Sequence, residues 1–360
     1  MMNKKKLSAL LLTGSMLMSM SMPTFAEGTT DVPTIGTSTD NTDVKASITK
    51  NFEFSEGITV PTATFNFTVT KNTADAPDAT INPISYSSND NKGTLNNGKY
   101  TISKDSAISF GTFPHAGVYE YTVAETKGSD SISKGTVTYS TETYKLRVYA
   151  ANKNDGSLYI KTITAEKGDQ KQEKILFTNT YTKNSSLSIE KTIDGNLADK
   201  TKKFAFTIQF TKSATASNDV DKYIGYIGKE PVECIIGEET TFYLGHGEKL
   251  LFDNLPAGTR YVVTEKGVED GYTPEVTVFE NNVESSVKQG KDEVDLKSAD
   301  EGESNLVGEN TNKVTFVNKY RDVAITGMII NNLPFIMLIS IAGLAFVALA
   351  VIKRQRALKL

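Results

Sequence analysis

The sequence predicts an all-β protein made of two tandem antiparallel β-sandwiches. From Val44 onward, short alternating runs rich in Val, Ile, Thr, Tyr and Phe are separated by clusters of Asn, Asp, Gly and Ser. Helical periodicity is almost absent until an apolar run near the end of the chain. The length of 360 residues suits about two domains, and a composition with 38% hydrophobic and 23% charged residues excludes collagen and low-complexity disorder.

The amino-terminal end, residues 1–26, is predicted to be a secretory signal peptide. Three lysines, Lys4 to Lys6, precede an apolar stretch from Leu7 to Met22, and small residues precede a break at Ala26. Residues 27–43 are rich in Thr, Asp and Gly, which predicts a flexible leader. The protein is therefore expected to leave the cytoplasm.

An internal repeat divides the rest into a first domain, residues 44–183, and a second domain, residues 184–320. A Lys and a Glu within the repeat are 75 residues apart in the first copy and 74 in the second, and the Glu is 54 and 53 residues before an Asn. Two copies of one domain are therefore predicted. The matching segments are Ala46–Lys50 with Leu187–Lys191, Pro114–Tyr119 with Pro256–Tyr261, Val123–Glu125 with Val263–Glu265, and Leu176–Tyr181 with Thr315–Tyr320.

The carboxyl-terminal end contains an apolar run of 20 uncharged residues from Leu333 to Ile352. At about 1.5 Å per residue a helix of this length crosses a bilayer core of about 30 Å. The cations that follow, Lys353, Arg354 and Arg356, are expected to stay cytoplasmic. The alternative is a buried core helix, although a core helix is rarely followed directly by a cluster of Lys and Arg at the end of a chain.

Charge and rare residues exclude several classes of function. Without its two ends the chain has 32 Lys and Arg against 43 Asp and Glu, which argues against a nucleic-acid partner. The single cysteine, Cys234, cannot form an intramolecular disulfide. The two histidines, His115 and His246, exclude a His-rich metal site and leave few bases for a Ser-His-Asp triad. We therefore expect neither a metal nor a cofactor.

Three polar residues continue apolar stripes on strand faces in each predicted domain. Side chains of one parity share a face of a strand, so these residues are expected to be buried. Burying a lone Lys or Glu costs several kcal/mol, so the three groups should meet and neutralise one another. The two sets are Lys50, Glu125 and Asn179 in the first domain, and Lys191, Glu265 and Asn318 in the second.

Such a buried set has reactive chemistry. Desolvation lowers the pKa of a lysine and raises that of a glutamic acid, and a neutral amine is a nucleophile. The amine can attack the Asn carbonyl while the Glu donates a hydrogen bond to the carbonyl oxygen and moves protons, expelling ammonia. This reaction is a single-turnover crosslink. The alternatives are that the residues simply end their strands, or that they form an unreacted hydrogen-bond network.

At these residues the chain resembles the FctA-type backbone pilins of Gram-positive sortase-assembled pili, from the leader to the basic tail. The resemblance implies two tandem immunoglobulin-like (CnaB-like) domains. It further implies that each is locked by a Lys–Asn isopeptide bond, Lys50 to Asn179 and Lys191 to Asn318, with Glu125 and Glu265 in the catalytic role. The segments that carry it are Ile48–Asn51, Val123–Glu125, Phe177–Asn179, Ile189–Lys191, Tyr261–Glu265 and Phe316–Asn318.

The resemblance also implies a sortase sorting signal within residues 321–360. Its motif is Val323, Ala324, Ile325, Thr326 and Gly327, with cleavage after Thr326. Val and Ala stand where the L-P-x-T-G pattern has Leu and Pro, which favours a dedicated pilus sortase over a housekeeping sortase. The alternative is a membrane-tethered protein with an incidental Thr-Gly pair.

Backbone pilins also use an acceptor lysine, which the resemblance places in the loop before the final strand of the first domain. Lys171 is the nearest counterpart, with Lys174 and Lys167 as substitutes. Any of them could equally be a solvated surface lysine.

The predicted function is that of the major subunit of a covalent pilus on the cell wall of a Gram-positive bacterium. Copies would be joined head to tail from Thr326 to a lysine near 171, which gives an open fibre. The expected partners are further copies, a pilus-specific sortase and other pilins at the tip or base, with the membrane only before sortase cleavage. A monomeric wall-anchored adhesin is the alternative. A secreted enzyme is the third hypothesis, but only the self-crosslinking triads offer reactive chemistry.

Overall fold

The computed structural model describes residues 35–268, 271–321 and 326–357. The predicted signal peptide and residues 27–34 of the predicted leader lie outside the described residues. The described chain is built of β-strands and one carboxyl-terminal helix, which confirms the predicted all-β class. Two hydrophobic cores form, one from residues 46–181 and one from residues 187–316, with Ala257 packed into the first.

The first sandwich consists of two six-stranded sheets, ordered β3-β5-β1-β12-β8-β7 and β11-β10-β9-β6-β2-β4. Buried and less buried residues alternate along β1, as the period of two predicts. The strands are β1 Ala46–Ser55, β2 Ala63–Lys71, β3 Ala79–Ile81, β4 Ile84–Tyr86, β5 Lys99–Phe110, β6 Gly117–Thr126, β7 Ser131–Ile132, β8 Gly135–Thr138, β9 Thr143–Asn152, β10 Leu158–Lys167, β11 Gln170–Gln172 and β12 Ile175–Thr182.

The second sandwich has an eight-stranded sheet, β16-β15-β18-β13-β25-β20-β21 with β22 on β20, and a five-stranded sheet, β17-β14-β19-β23 with β24 on β19. The strands are β13 Asn184–Asp194, β14 Phe204–Thr211, β15 Lys222–Ile227, β16 Glu230–Ile235, β17 Glu239–Leu244, β18 Lys249–Pro256, β19 Arg260–Glu265, β20 Tyr272–Glu280, β21 Val283–Glu284, β22 Lys288–Gln289, β23 Leu296–Lys297, β24 Asn305–Leu306 and β25 Lys313–Tyr320.

The first and last strands of each sandwich are neighbours and run parallel. Phe52 of β1 lies opposite Asn179 of β12, and Ile193 of β13 lies opposite Asn318 of β25. The other pairings within the sheets are antiparallel, so the prediction of antiparallel sandwiches is wrong for this pair. The alternation of residue types reports which face a side chain occupies, but it carries no information about which strand becomes a neighbour.

The leader follows the outer edge of β10 over its described part. Ser38 N–H donates to Lys161 O at 2.8 Å, and Ile163 N–H donates to Gly36 O at 3.0 Å. Ile35 and Val44 pack against the first core. The composition of residues 35–43 predicted a flexible leader and gave no sign of these contacts. These residues satisfy the backbone groups of β10 beyond the point where β11 stops pairing.

The two sandwiches meet at the turn after β1. The Ser55 and Ser213 hydroxyls are hydrogen-bonded at 2.8 Å. Glu309 accepts from Thr59 N–H at 2.9 Å and pairs with Lys183 Nζ at 2.7 Å. Burial raises the pKa of Glu309, but the bonds from Lys183 and Thr59 outweigh it and leave the pKa below its ordinary value. A buried polar junction therefore joins the domains in addition to the chain itself.

The helix α1 extends from Thr326 to Ala357. Within it, Met337–Arg354 is long and apolar enough to cross a membrane, and none of that stretch is buried against the rest of the chain. The predicted apolar run, Leu333 to Ile352, lies inside this helix. The alternative of a buried core helix is therefore not supported.

Candidate functional site: two buried Lys-Glu-Asn triads

The two sheets of the first sandwich bring Lys50, Glu125 and Asn179 together. Lys50 and Asn179 lie on the parallel neighbours β1 and β12, two residues apart in register, so their side chains point to the same face. Glu125 lies on β6 in the opposite sheet and faces them across the core. In the second sandwich β13, β25 and β19 place Lys191, Asn318 and Glu265 in the same way.

In the first triad the Glu125 carboxylate bridges the amine and the amide. Lys50 Nζ lies 2.8 Å from Glu125 Oε2, and both side chains have no exposed surface. Asn179 Nδ2 donates to Glu125 Oε1 at 2.7 Å, and Asn179 Oδ1 accepts from the backbone N–H of Ser140 at 2.7 Å. The amine also lies 4.6 Å from the centre of the Phe65 ring.

In the second triad one carboxylate oxygen contacts both partners. Lys191 Nζ forms an ion pair with Glu265 Oε1 at 2.8 Å, and Asn318 Nδ2 donates to the same oxygen at 2.8 Å. Glu265 Oε2 and Asn318 Oδ1 are buried and have no hydrogen-bond partner within the described part of the chain. The amine lies 4.7 Å from the centre of the Phe204 ring.

Burial shifts the pKa values of Lys50, Lys191 and Glu265 toward their neutral forms. Desolvation lowers the pKa of Lys50 to about 8, against the opposing effect of Glu125. Desolvation also lowers the pKa of Lys191 to about 8, against the opposing effect of Glu265. For Glu265, burial raises the pKa although Lys191 and Asn318 favour its ionised form. Transfer of one proton from amine to carboxylate therefore gives a neutral, nucleophilic amine.

The glutamates contact the amide nitrogen in both triads, whereas the sequence led us to expect a contact with the carbonyl oxygen. An ionised carboxylate can only accept hydrogen bonds, so it pairs with the N–H groups. In this position the carboxylate can take a proton from the amine and pass it to the nitrogen that must leave. The arrangement can therefore carry out amide exchange with loss of ammonia.

The rate of crosslinking in refolding protein is expected to change less than tenfold between about pH 6 and about pH 8. The reactive form arises by proton transfer inside the Lys-Glu pair, so no proton is exchanged with solvent. Intact masses of samples quenched at successive times would measure the rate. An increase of about tenfold per pH unit would instead indicate that solvent deprotonates the amine.

Several groups around the triads were not identified from the sequence. Phe65 and Phe204 lie beside the amines, and their places on alternating stripes of β2 and β14 were the available signal. Tyr86 Oη donates to Lys50 O at 2.7 Å. The Ser140 donor is a backbone group, for which the sequence has no signal.

Of the predicted acceptor lysines, Lys167 and Lys171 lie on a tight β-hairpin, and Lys174 lies in the bend between β11 and β12. Lys171 is on the short strand β11 opposite Glu166 of β10, and its side chain is exposed. A groove of about 590 Å³ lies beside it, lined by residues 35–37, 162–164 and 171–174. Lys167 is paired with Glu142 at 2.7 Å, and that hydrogen bond raises its pKa. Lys171 and Lys174 are exposed, and neither forms an ion pair within the described residues.

The predicted sorting motif lies mostly outside the described residues. Val323, Ala324 and Ile325 are not described, and Thr326 and Gly327 begin α1.

The single cysteine and the two histidines make contacts within the fold. Cys234 is buried, and desolvation raises its pKa to about 11. His115 is exposed beside Asp75, and His246 Nδ1 accepts from Ile193 N–H at 3.0 Å. In the described ranges no group of three or more His, Cys, Asp or Glu is placed to hold a metal ion.

Comparison with known proteins places these features in a family. Residues 46–182 match the Spy0128-like isopeptide containing domain, FctA, and residues 185–320 match a domain of unknown function, DUF7601. The chain is 28% identical over 376 residues to a pilin of Streptococcus pyogenes serotype M1, covering 98% of this chain and all of that protein. It is 35% identical over 85 residues to the pilus tip adhesin Cpa of Streptococcus pyogenes, covering 23% of this chain and 12% of the adhesin.

Two solved major pilins of Streptococcus pyogenes also resemble the chain. The T3.2 pilin from serotype GAS13637 is 25% identical with a TM-score of 0.36, covering 77% of this chain and 98% of that one. Another major pilin is 25% identical with a TM-score of 0.34 and the same coverage.

The tandem sandwiches and the family match define a structural subunit of a surface pilus. Residues 46–182 are an FctA-type domain, and the chain as a whole resembles the major pilins of Gram-positive pili.

Proposed function

We propose that this pilin crosslinks each of its domains and is joined head to tail by a sortase. The observation that carries the proposal is the repetition of one buried Lys-Glu-Asn triad between the first and last strands of both sandwiches. The bonds would join Lys50 to Asn179 and Lys191 to Asn318. Each forms once, so the protein is not an enzyme in the sense of turning over a substrate.

Each bond would replace an ion pair and a hydrogen bond by a covalent closure. The joined residues are 129 positions apart in the first domain and 127 in the second. Restricting the unfolded chain in a loop of this length is worth about 5 kcal/mol in the chain-entropy treatment. This is comparable with the whole net stability of an ordinary domain, about 5–15 kcal/mol.

Polymerisation would use Thr326 of one subunit and Lys171 of the next. Lys171 is exposed on the edge of a sheet, where a sortase-bound acyl group has access. Its amine is solvated, unlike those of Lys50 and Lys191, so we infer that the sortase assists its deprotonation. The chain thus has two classes of lysine, buried ones that react alone and an exposed one that requires an enzyme.

These positions define the path of a pulling force through the subunit. Between Lys171 and Lys183 the force follows β12, which the Lys50–Asn179 bond ties to the first domain. In the second domain it enters β13 and passes through the Lys191–Asn318 bond into β25. The 126 residues between Lys191 and Asn318 would bear no load.

The two ends of the chain suggest the order in which the subunit is secreted, held in the membrane and assembled. The signal peptide would direct secretion, and α1 would hold the subunit in the membrane until a pilus sortase cleaves after Thr326. Other pilins would join the fibre at its tip or base, and the finished pilus would be anchored to the cell wall. The similarity to a pilus tip adhesin over 85 residues supports assembly with other pilins.

The mass of the secreted subunit, residues 27–326, tests the crosslinks. It is expected to weigh two ammonia masses less than its sequence, because each triad expels one ammonia. Asn179→Ala should have a deficit of one ammonia, and the double variant with Asn318→Ala should have none. A wild-type mass equal to the sequence mass would exclude both bonds.

A further inference from the structure

Within the part of the chain that the structure describes, the carbonyl oxygen of the reacting asparagine has a hydrogen-bond donor in the first domain but not in the second. Ser140 N–H donates to Asn179 Oδ1 at 2.7 Å. The corresponding oxygen, Asn318 Oδ1, is buried and has no partner among the residues that the structure describes. The two triads have the same residues, so the difference comes from the backbone around them.

The path of the chain explains this difference. In the first domain β8 ends at Thr138, opposite Thr180, and residues 139–142 cross to β9 in the other sheet. Ser140 N–H is therefore outside any strand pairing and free to point at the asparagine. In the second domain β20 stays paired with β25 from Tyr272 to Phe279, and Pro274 lies opposite Asn318. Proline has no N–H, so it cannot supply this donor.

We propose that the backbone N–H of Ser140 is the oxyanion donor for the Lys50–Asn179 reaction, and that the two domains divide the catalytic roles differently. In the first domain Ser140 stabilises the oxygen and Glu125 moves the proton. In the second domain Glu265 moves the proton, and within the described ranges Asn318 Oδ1 has no donor that would stabilise the oxygen. This inference rests on the proposed crosslinks.

The step balances as amide exchange. The ammonium of Lys50 gives one proton to Glu125, and the neutral Nζ attacks Cγ of Asn179. Negative charge then develops on Oδ1, 2.7 Å from Ser140 N in the starting arrangement, where a preorganised donor stabilises it. The bond from Cγ to Nδ2 breaks as Glu125 gives its proton to Nδ2 and takes one from the attacking Nζ, so Nδ2 leaves as ammonia. The new bond is an amide between Nζ and Cγ.

Ser140 also fixes the orientation of the amide before reaction. If the Asn179 side chain were turned around, Nδ2 would face Ser140 N–H, and two donors would oppose each other. The bond therefore directs Nδ2 toward Glu125, the group that must protonate it. In the second domain the contact with Glu265 is the hydrogen bond that orients the Asn318 side chain among the described residues.

The test compares Ser140→Pro, which removes the N–H, with Ser140→Ala, which keeps it. Each subunit, residues 27–326, is isolated unfolded from inclusion bodies before either bond has formed, and peptide mass spectrometry follows both bonds over time after dilution from denaturant. In Ser140→Pro the Lys50–Asn179 bond should form roughly a hundredfold more slowly or worse. The Lys191–Asn318 bond in the same molecule is the internal control and should form at the wild-type rate. Equal rates for the first bond in both variants would overturn the proposal.

Amide hydrogen exchange of wild type gives a second readout that does not depend on folding of the proline variant. Ser140 N–H should exchange much more slowly than the neighbouring Thr141 N–H, and Asn179→Ala should remove that protection. Exchange of Ser140 as fast as that of Thr141 in wild type would overturn the assignment. Absence of both bonds from wild type would contradict the proposed function itself, whereas normal bonds with an unprotected Ser140 would overturn only this inference.

Discussion

Glu265→Ala is expected to leave Lys191 and Asn318 unlinked and to make the subunit extensible by about 440 Å. The amine loses the carboxylate that takes its proton, and the amide nitrogen loses the group that returns it. The 127 peptide steps from Lys191 to Asn318, at about 3.3–3.6 Å each, then enter the path of the force. Removal of the carboxylate that pairs with Lys191 also leaves a buried amine without compensation, which costs about 3–5 kcal/mol.

Single-molecule stretching between residues 171 and 326 would measure this extension, and intact mass would report the bond. Glu125→Ala is the matched comparison, because it should also lose one bond but gain no such extension, since β12 alone carries the force in the first domain. Glu238→Ala changes an exposed glutamate of the second domain and should retain both bonds. Full crosslinking in Glu265→Ala would show that another group promotes the reaction.

Lys171→Ala and Thr326→Ala are each expected to abolish the ladder of polymers in boiled, detergent-treated cell-wall extracts. Lys171→Ala removes the nucleophile and Thr326→Ala prevents formation of the acyl intermediate. The monomers should keep the deficit of two ammonia masses, because the buried triads do not depend on polymerisation. Lys161→Ala, which changes an exposed lysine of the neighbouring strand β10, is the control and should leave the ladder intact.

An unchanged ladder in Lys171→Ala would move the acceptor to Lys174, which is also exposed. Lys167 is the weaker substitute because its ion pair with Glu142 stabilises the charged form of the amine. If all three substitutions leave the ladder intact, head-to-tail linkage through this hairpin is excluded. Absence of a ladder from the wild-type strain would instead favour the monomeric wall-anchored adhesin.

The burial of the triads could be predicted from the sequence because side chains alternate between the two faces of a strand, so the sequence of one strand shows which residues share its buried face. Lys50 continues the stripe of Ala46 and Ile48, and Asn179 continues that of Ile175 and Phe177, and all of these are buried in the structure. Alternation with a period of two is a local property of one strand, so it does not depend on which strand is its neighbour in the sheet. The repetition of three residue types at nearly equal spacing then indicated that they act together.

The neighbours of each strand could not be predicted in the same way. The parallel pairing of β1 with β12 and the position of Glu125 in the opposite sheet depend on contacts between residues far apart in the chain. The same is true of residues 35–43, whose polar composition suggested flexibility although their backbone groups pair with β10. Composition describes side chains, and in these cases the interactions are made by the main chain.

The sequence by itself therefore determined which side chains are buried, which of them could react, and that the domain occurs twice. Only the tertiary structure decided that the two copies differ in their reaction sites. Ser140 N–H reaches Asn179 because the chain leaves one sheet for the other at that point, whereas Pro274 lies opposite Asn318 in an unbroken strand. The physical reason is that every residue except proline carries the same backbone donor, so its availability depends only on where the fold directs the chain.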